Sequence, residues 1–183
     1  MLPELRADVL CRDDTRWRFF VSSTPNSVDD FARRYADQHR GVVGDAPVVR
    51  MFRGQRSATP ERLLQEWAAA LPFPWYCGYT WDGFDECIGD LEWLPGSCYL
   101  FFVTQLDLVL PGLDRDFGIF IDILKGAAQA WKVPNRANTG EPTAPFTVIF
   151  QTEPERAAAA LNRLQAAGAD PFVVRFSDDN LRL

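Results

Sequence analysis

Four carboxylates, Asp82, Asp85, Glu86 and Asp90, recur at i, i+3, i+4 and i+8, a spacing that stacks them on one face of a helix. Three chemistries suit such a row. Paired carboxylates can act as acid and base on a glycosidic bond, clustered oxygens can hold a hard cation, and an uncompensated negative surface can dock on a basic one. The surrounding sequence favours docking. Residues 63–114 contain no Lys, Arg or His but eight carboxylates, Glu66, Asp82, Asp85, Glu86, Asp90, Glu92, Asp107 and Asp114. Like charges at helical spacing repel by roughly 0.2–0.5 kcal/mol per pair, and folding alone does not ask for that. Trp75, Tyr76, Tyr79, Trp81 and Trp93 flank the row, and aromatic side chains anchor protein interfaces.

The other two chemistries lack their patterns. A hydrolytic carboxylate pair faces across a cleft from different elements, whereas Asp82 and Glu86 sit one turn apart on one convex helix. Calcium loops need D-x-D-x-D-G with a glutamate at the twelfth position, which is absent. His39 follows a polar helix with no Asp or Cys beside it and reads as a surface residue. There is no G-x-G-x-x-G, Walker loop or nucleophile elbow. The expectation is a non-enzyme without cofactor or metal. The bland reading of the acidic row is a solvated helix face, and of Trp67 and Phe84 core packing. Tyr76, Tyr79 and Trp81, in or beside a Pro- and Gly-containing loop, are either exposed contacts or loop anchors.

Composition narrows the partner. A net charge of −6 and a pI near 4.8 argue against direct nucleic-acid binding, which draws on Lys and Arg. At 47% hydrophobic and 13% aromatic residues, the chain reads as an ordered globular protein rather than an acidic tail. No apolar run approaches the roughly 18 residues of a membrane span, and charges fill the opening residues where a secretory signal needs an apolar core. A cytoplasmic protein with no membrane partner is expected. Cys11, Cys77, Cys87 and Cys98 show no C-x-x-C pairing, so free thiols are expected, with Cys87 a buried, inert one.

The elements that must position the row can be read from periodicity. Residues 17–22 (WRFFVS) read as a strand, followed by a helix capped by Ser27 with Phe31 and Tyr35 on one face. A Gly-rich turn at 41–44 leads to a strand at 48–52. Thr59 and Pro60 open the next helix as cap and first residue, with Leu63, Leu64, Trp67 and Leu71 as its apolar stripe. Residues 71–79 (LPFPWYCGY) must form a loop, because Pro72 and Pro74 cannot lie in a helix interior. The acidic helix spans 80–91, with Phe84, Cys87, Ile88 and Leu91 opposite the carboxylates. A strand at 98–104 is apolar throughout, as for a central strand covered on both faces. A helix over 113–131, a loop over 132–145, a strand at 146–150, a helix over 153–167 ended by Gly168 and a short strand at 171–176 complete the order. Alternating strands and helices predict an α/β fold, a mainly parallel β-sheet with helices packed on it.

The segment LPFPWYCGYTWDGFDECI, preceded by ERLLQEWAAA and followed by CYLFFV, resembles the barstar family of ribonuclease inhibitors. The series Tyr76, Gly78, Trp81, Asp82, Phe84, Glu86, Cys87 carries the resemblance, and residues 46–151 follow the family's order of elements. The resemblance implies that the loop and acidic helix plug a ribonuclease active site, with Asp82 and Glu86 standing in for substrate phosphates and Tyr76 and Gly78 shaping the contacting loop. With Tyr79, Trp81, Asp85 and Asp90, these are the candidate partner-binding residues. The implied partner is a basic ribonuclease or other basic toxin, neutralised by an antitoxin or immunity protein. The alternative is an interaction module of the same fold for another basic protein. The family carries a second tyrosine at the position of Cys77, an aromatic residue at Asp85, aspartate at Glu86, and carboxylates roughly at Gly126 and Ala130. Residues 1–45 are read as an N-terminal β-α extension and 152–183 as a C-terminal α-β extension packed on the same body.

Overall fold

Strands β3 (Tyr99–Thr104) and β4 (Phe146–Thr152) are buried at every position, because each faces a packed layer on both sides. Tyr99, Phe101, Val103, Phe146, Val148 and Phe150 belong to one hydrophobic cluster, while Leu100, Phe102 and Ile149 belong to a second on the opposite face. Alternation along an extended chain sends successive side chains to opposite faces, so an unbroken apolar run marks a sheet covered twice. The computed structural model describes residues 17–22, 25–38, 46–131 and 144–175.

Three further strands complete the sheet, β1 (Arg18–Val21), β2 (Val48–Arg53) and β5 (Phe172–Arg175). The order is β2-β3-β4-β1-β5, and each of the four pairings is parallel. Helix α1 (Pro25–Gln38) connects β1 to β2. The return runs opposite in direction to the steps β2 to β3, β3 to β4 and β4 to β5. Right-handed crossovers place helices of opposite travel on opposite faces. Accordingly Val28, Phe31 and Tyr35 of α1 pack in the second cluster. Helices α2 (Pro60–Ala70), α3 (Trp81–Asp90), α4 (Asp114–Ala130) and α5 (Ala157–Ala166) bury their stripes in the first. The result is a three-layer α/β architecture, as the sequence predicts.

Thr59 caps α2, its Oγ1 accepting from the Arg62 N–H at 3.4 Å, with Pro60 the first helical residue. Two expectations need correction. Helix α1 begins at Pro25, so Ser27 lies within its first turn and not at the cap. The helix expected from 153 starts as a 3-10 turn (Pro154–Arg156), and α5 proper begins at Ala157. Gly168, at φ 76°, follows its end as expected. His39, the 41–44 turn, Cys11, Phe176 and most of the 132–145 loop lie outside the described residues.

Edge strand β2 carries charge, a common defence of exposed edges. Arg50 donates through Nε to the Ala70 carbonyl at 2.8 Å, capping the end of α2, and its partial burial lowers its pKa. A second arginine ties α5 to the start of α4. Arg163 donates to Asp114 Oδ1 (3.0 Å) and to the carbonyls of Val109 (2.7 Å) and Leu110 (2.6 Å), with its guanidinium 3.8 Å above the Phe117 ring. Replacing it takes the side-chain donor from the Val109 carbonyl, worth roughly 1–3 kcal/mol when left unsatisfied, whereas the Leu110 carbonyl keeps the Leu113 N–H at 3.0 Å. Arg163→Ala is expected to lower the urea midpoint by an amount corresponding to about 1–3 kcal/mol; a loss near zero would show that water replaces the guanidinium.

Candidate protein-binding site

Helix α3 has two faces because its sequence has two. Thr80 caps it, Oγ1 accepting from the Gly83 N–H at 3.1 Å, and Asp82 in the first turn complements the helix dipole. Gly83, Phe84, Cys87 and Ile88 are buried. The Phe84 ring meets Trp67 edge-on at 5.3 Å and stacks against Phe120 at 6.2 Å, which pins the helix to α2 and α4. Leu91 ends it in the left-handed conformation at φ 50°. The outer face exposes Asp82, Asp85 and Glu86, with Asp90 half-buried. Among the described residues none of Asp82, Asp85 and Glu86 is in an ion pair. Asp90 has a partner within the chain, so it is part of the fold's own interactions as well as of the acidic row.

The loop between α2 and α3 is held at its root and open at its tip. Trp93 donates its indole N–H to the Leu71 carbonyl at 2.8 Å, and Phe73 packs against Phe84 and Trp93 at 6.1 and 5.9 Å. A 3-10 turn (Trp75–Cys77) follows, then Gly78 at φ 64°, ψ −179°, a region open essentially to glycine alone. The tip presents Trp75, Tyr76 and Tyr79, which are 94%, 60% and 61% exposed. These rings and the acidic face border one another through Thr80 and the cap of α3.

Gly83 lets the loop backbone lie on the helix, since a Cβ there would stand 1.7 Å from the Cys77 carbonyl oxygen. Gly83→Ala is therefore expected to cost roughly 1–3 kcal/mol by overpacking. Gly118→Ala in α4, where a Cβ meets nothing within 4 Å, is expected to be neutral or stabilising by up to about 1 kcal/mol. Urea unfolding of the two variants side by side checks this, and equal midpoints would contradict it.

Of the sequence-predicted residues, Tyr76, Gly78, Tyr79, Asp82, Asp85 and Glu86 are all exposed on this one surface. Trp81 divides from them. It is half-buried, its ring lies 6.3 Å from Phe84, and its indole N–H donates to Asp116 Oδ1 at 3.3 Å. Trp81 thus anchors α3 to α4. Trp75, absent from the candidate set, is the most exposed large apolar side chain described; its place beside Tyr76 in a proline-bounded loop was the available signal.

The expectation of free thiols is overturned. Cys77 and Cys87 form a disulfide, with Cα atoms 6.3 Å apart, within the span such a bond bridges. Cys98 is disulfide-bonded as well. Cys87 is buried as predicted, but as half of a cross-link. Its apolar surroundings say nothing of a partner ten residues away that the loop folds back to meet it.

Open α/β sheets often hold ligands at the carboxyl ends of their strands. Here the polar groups at those ends serve one another. The Gln105 N–H donates to Gln151 Oε1 (3.0 Å), Gln151 Nε2 to Ser22 Oγ (3.1 Å) and Thr152 Oγ1 to Asp107 (3.0 Å). Asp107 also pairs with Arg156 and raises its pKa by hydrogen bonding and charge. Among the described residues no cluster of three or more His, Cys, Asp or Glu could hold a metal ion.

Comparison with protein families matches residues 48–151, more than half of the chain, to Barstar (barnase inhibitor). The chain belongs to the barstar family. Comparison with curated proteins and with solved structures returned no match. The matched span runs from the start of β2 to Gln151 in β4 and includes the whole loop and acidic helix. Strands β1 and β5 lie outside it, yet β1 pairs with β4 and β5 with β1 in the same sheet. The barstar-family segment therefore supplies three adjacent strands of a five-stranded sheet.

Proposed function

We propose that this protein is a non-catalytic inhibitor of a basic ribonuclease, of the antitoxin or immunity type, which covers the enzyme's active site with the loop tip and the acidic face of α3. The observation that carries the reading is the exposed, unpaired set Asp82, Asp85 and Glu86 beside Trp75, Tyr76 and Tyr79, inside the barstar-family segment. Carboxylates with no ion pair among the described residues are open to the lysines and arginines of a phosphate-binding cleft, and clustered charge speeds encounter. The exposed rings add apolar contact area around it. The described elements outside the family segment, β1 and α1 before it and α5 and β5 after it, are assigned to the support of the sheet behind this surface. Titrating the purified chain into candidate basic ribonucleases at low and physiological salt, and following residual RNA cleavage, tests the proposal. Stoichiometric loss of cleavage, weaker at higher salt, is expected; no inhibition of any candidate would count against it.

One observation favours a different basic protein as target. Gly126 and Ala130 are exposed on α4 where the family carries carboxylates, so part of the charge that meets a ribonuclease is missing. A basic partner captured without loss of RNA cleavage would support this reading.

No helix among the described residues is long and apolar enough to cross a membrane. Cytoplasmic residence, expected from the sequence, is opposed by the disulfides, because cytosolic thiols are kept reduced. An oxidising compartment suits them better. Alkylation of the native protein without reductant is expected to leave Cys77, Cys87 and Cys98 unmodified; modification of all three would restore the cytoplasmic assignment.

A further inference from the structure

We infer that the Cys77–Cys87 disulfide is the positioning element of the docking loop and that the loop's binding form depends on its oxidation. The inference rests on the proposal that this loop and α3 form the docking surface. Along residues 75–80 every side chain is exposed except Cys77, which is 6% exposed. The tip therefore has one inward anchor. That anchor is joined covalently to Cys87, 1% exposed on the buried face of α3, opposite the carboxylates.

The remaining ties are short-range. The Cys77 N–H donates to the Pro74 carbonyl at 3.1 Å, Thr80 caps the helix that follows it, and Gly83 allows the loop backbone to rest on α3 without holding it there. With Trp75, Tyr76 and Tyr79 directed to solvent, little apolar burial would restrain the tip once the bond is cut. A dithiol reductant would deliver two electrons and two protons to the disulfide, giving two thiols and becoming a disulfide itself. The tip would then sample conformations in which its rings no longer border Asp82 and Glu86. Affinity falls in proportion to the fraction of molecules left in the binding form. A tip holding that form about a tenth of the time binds about tenfold more weakly.

The test compares the oxidised full-length chain with Cys77→Ala/Cys87→Ala by hydrogen exchange without a partner and by dissociation from an inhibited ribonuclease. Expected are exchange at residues 75–80 faster by about tenfold or more, unchanged protection in β3 and β4, and dissociation faster by a similar factor. Should the double variant lose the near-ultraviolet dichroism of the folded protein, Cys77→Ser, with Cys87 left as a buried thiol, takes its place. Unchanged exchange at the tip overturns the inference, and so does faster exchange with an unchanged dissociation rate. A wild type that inhibits no ribonuclease sinks the proposed function, while the exchange comparison still decides whether the disulfide holds the loop.

Discussion

Asp82→Ala and Glu86→Ala are each expected to weaken inhibition of the proposed ribonuclease target by about 2–5 kcal/mol, roughly 30- to 5,000-fold in affinity, mostly through faster dissociation. The range is the general one for truncating a desolvated interfacial charge pair, the barnase–barstar pair included, and does not come from this chain's geometry. Stability should scarcely move. Removing Asp82 relieves repulsion from Asp85 and Glu86, about 0.2–0.5 kcal/mol per pair, but forfeits about 0.3–1 kcal/mol of favourable charge at the helix N-terminus. The two terms nearly cancel. Glu86→Ala has only relief to gain, so it should be neutral or slightly stabilising. Inhibition assays paired with urea unfolding separate binding from folding. Variants that inhibit like wild type would remove α3 from the interface. Loss of inhibition with a matching loss of stability would show that the carboxylates support the fold instead.

The largest effect on stability is expected at Trp67. Its ring stacks on Phe52 at 3.6 Å and meets Phe84, Phe101 and Phe120 edge-on at 5.3, 5.7 and 5.5 Å, with 1% exposure. One side chain thus joins β2, β3, α2, α3 and α4. Truncating a buried tryptophan costs about 3–5 kcal/mol, against a total stability of about 5–15 kcal/mol for ordinary domains. Trp67→Ala should therefore unfold at a much lower urea concentration, and inhibition should fail at temperatures where wild type still works. Trp67→Phe keeps most of the contacts and should lose less than half as much. A shift under about 1 kcal/mol for the alanine variant would mean that neighbouring rings collapse into the space, contrary to the close packing of protein cores.

Local pattern carried much of this protein in its sequence. The i, i+3, i+4, i+8 carboxylates opposite Phe84, Cys87 and Ile88 determine a two-faced helix and its charged surface. The unbroken apolar runs of β3 and β4 determine strands covered on both sides, and Thr59-Pro60 determines where α2 begins. Each of these follows from the repeat of a helix or strand, or from a cap satisfied within a few residues. What tertiary structure decided involves partners that local repeat does not encode. Trp75 and Trp81 are six positions apart in one aromatic stretch, yet one is open to solvent and the other reaches Asp116 on α4. Strand β1 lies between β4 and β5 because a parallel sheet is ordered by crossovers of long reach, not by succession in the chain. Cys77 meets Cys87 because Gly78 and Gly83 let the loop turn back onto the helix. Side-chain spacing along an element sets which face a residue occupies, whereas the distance between elements is set by how their buried faces pack.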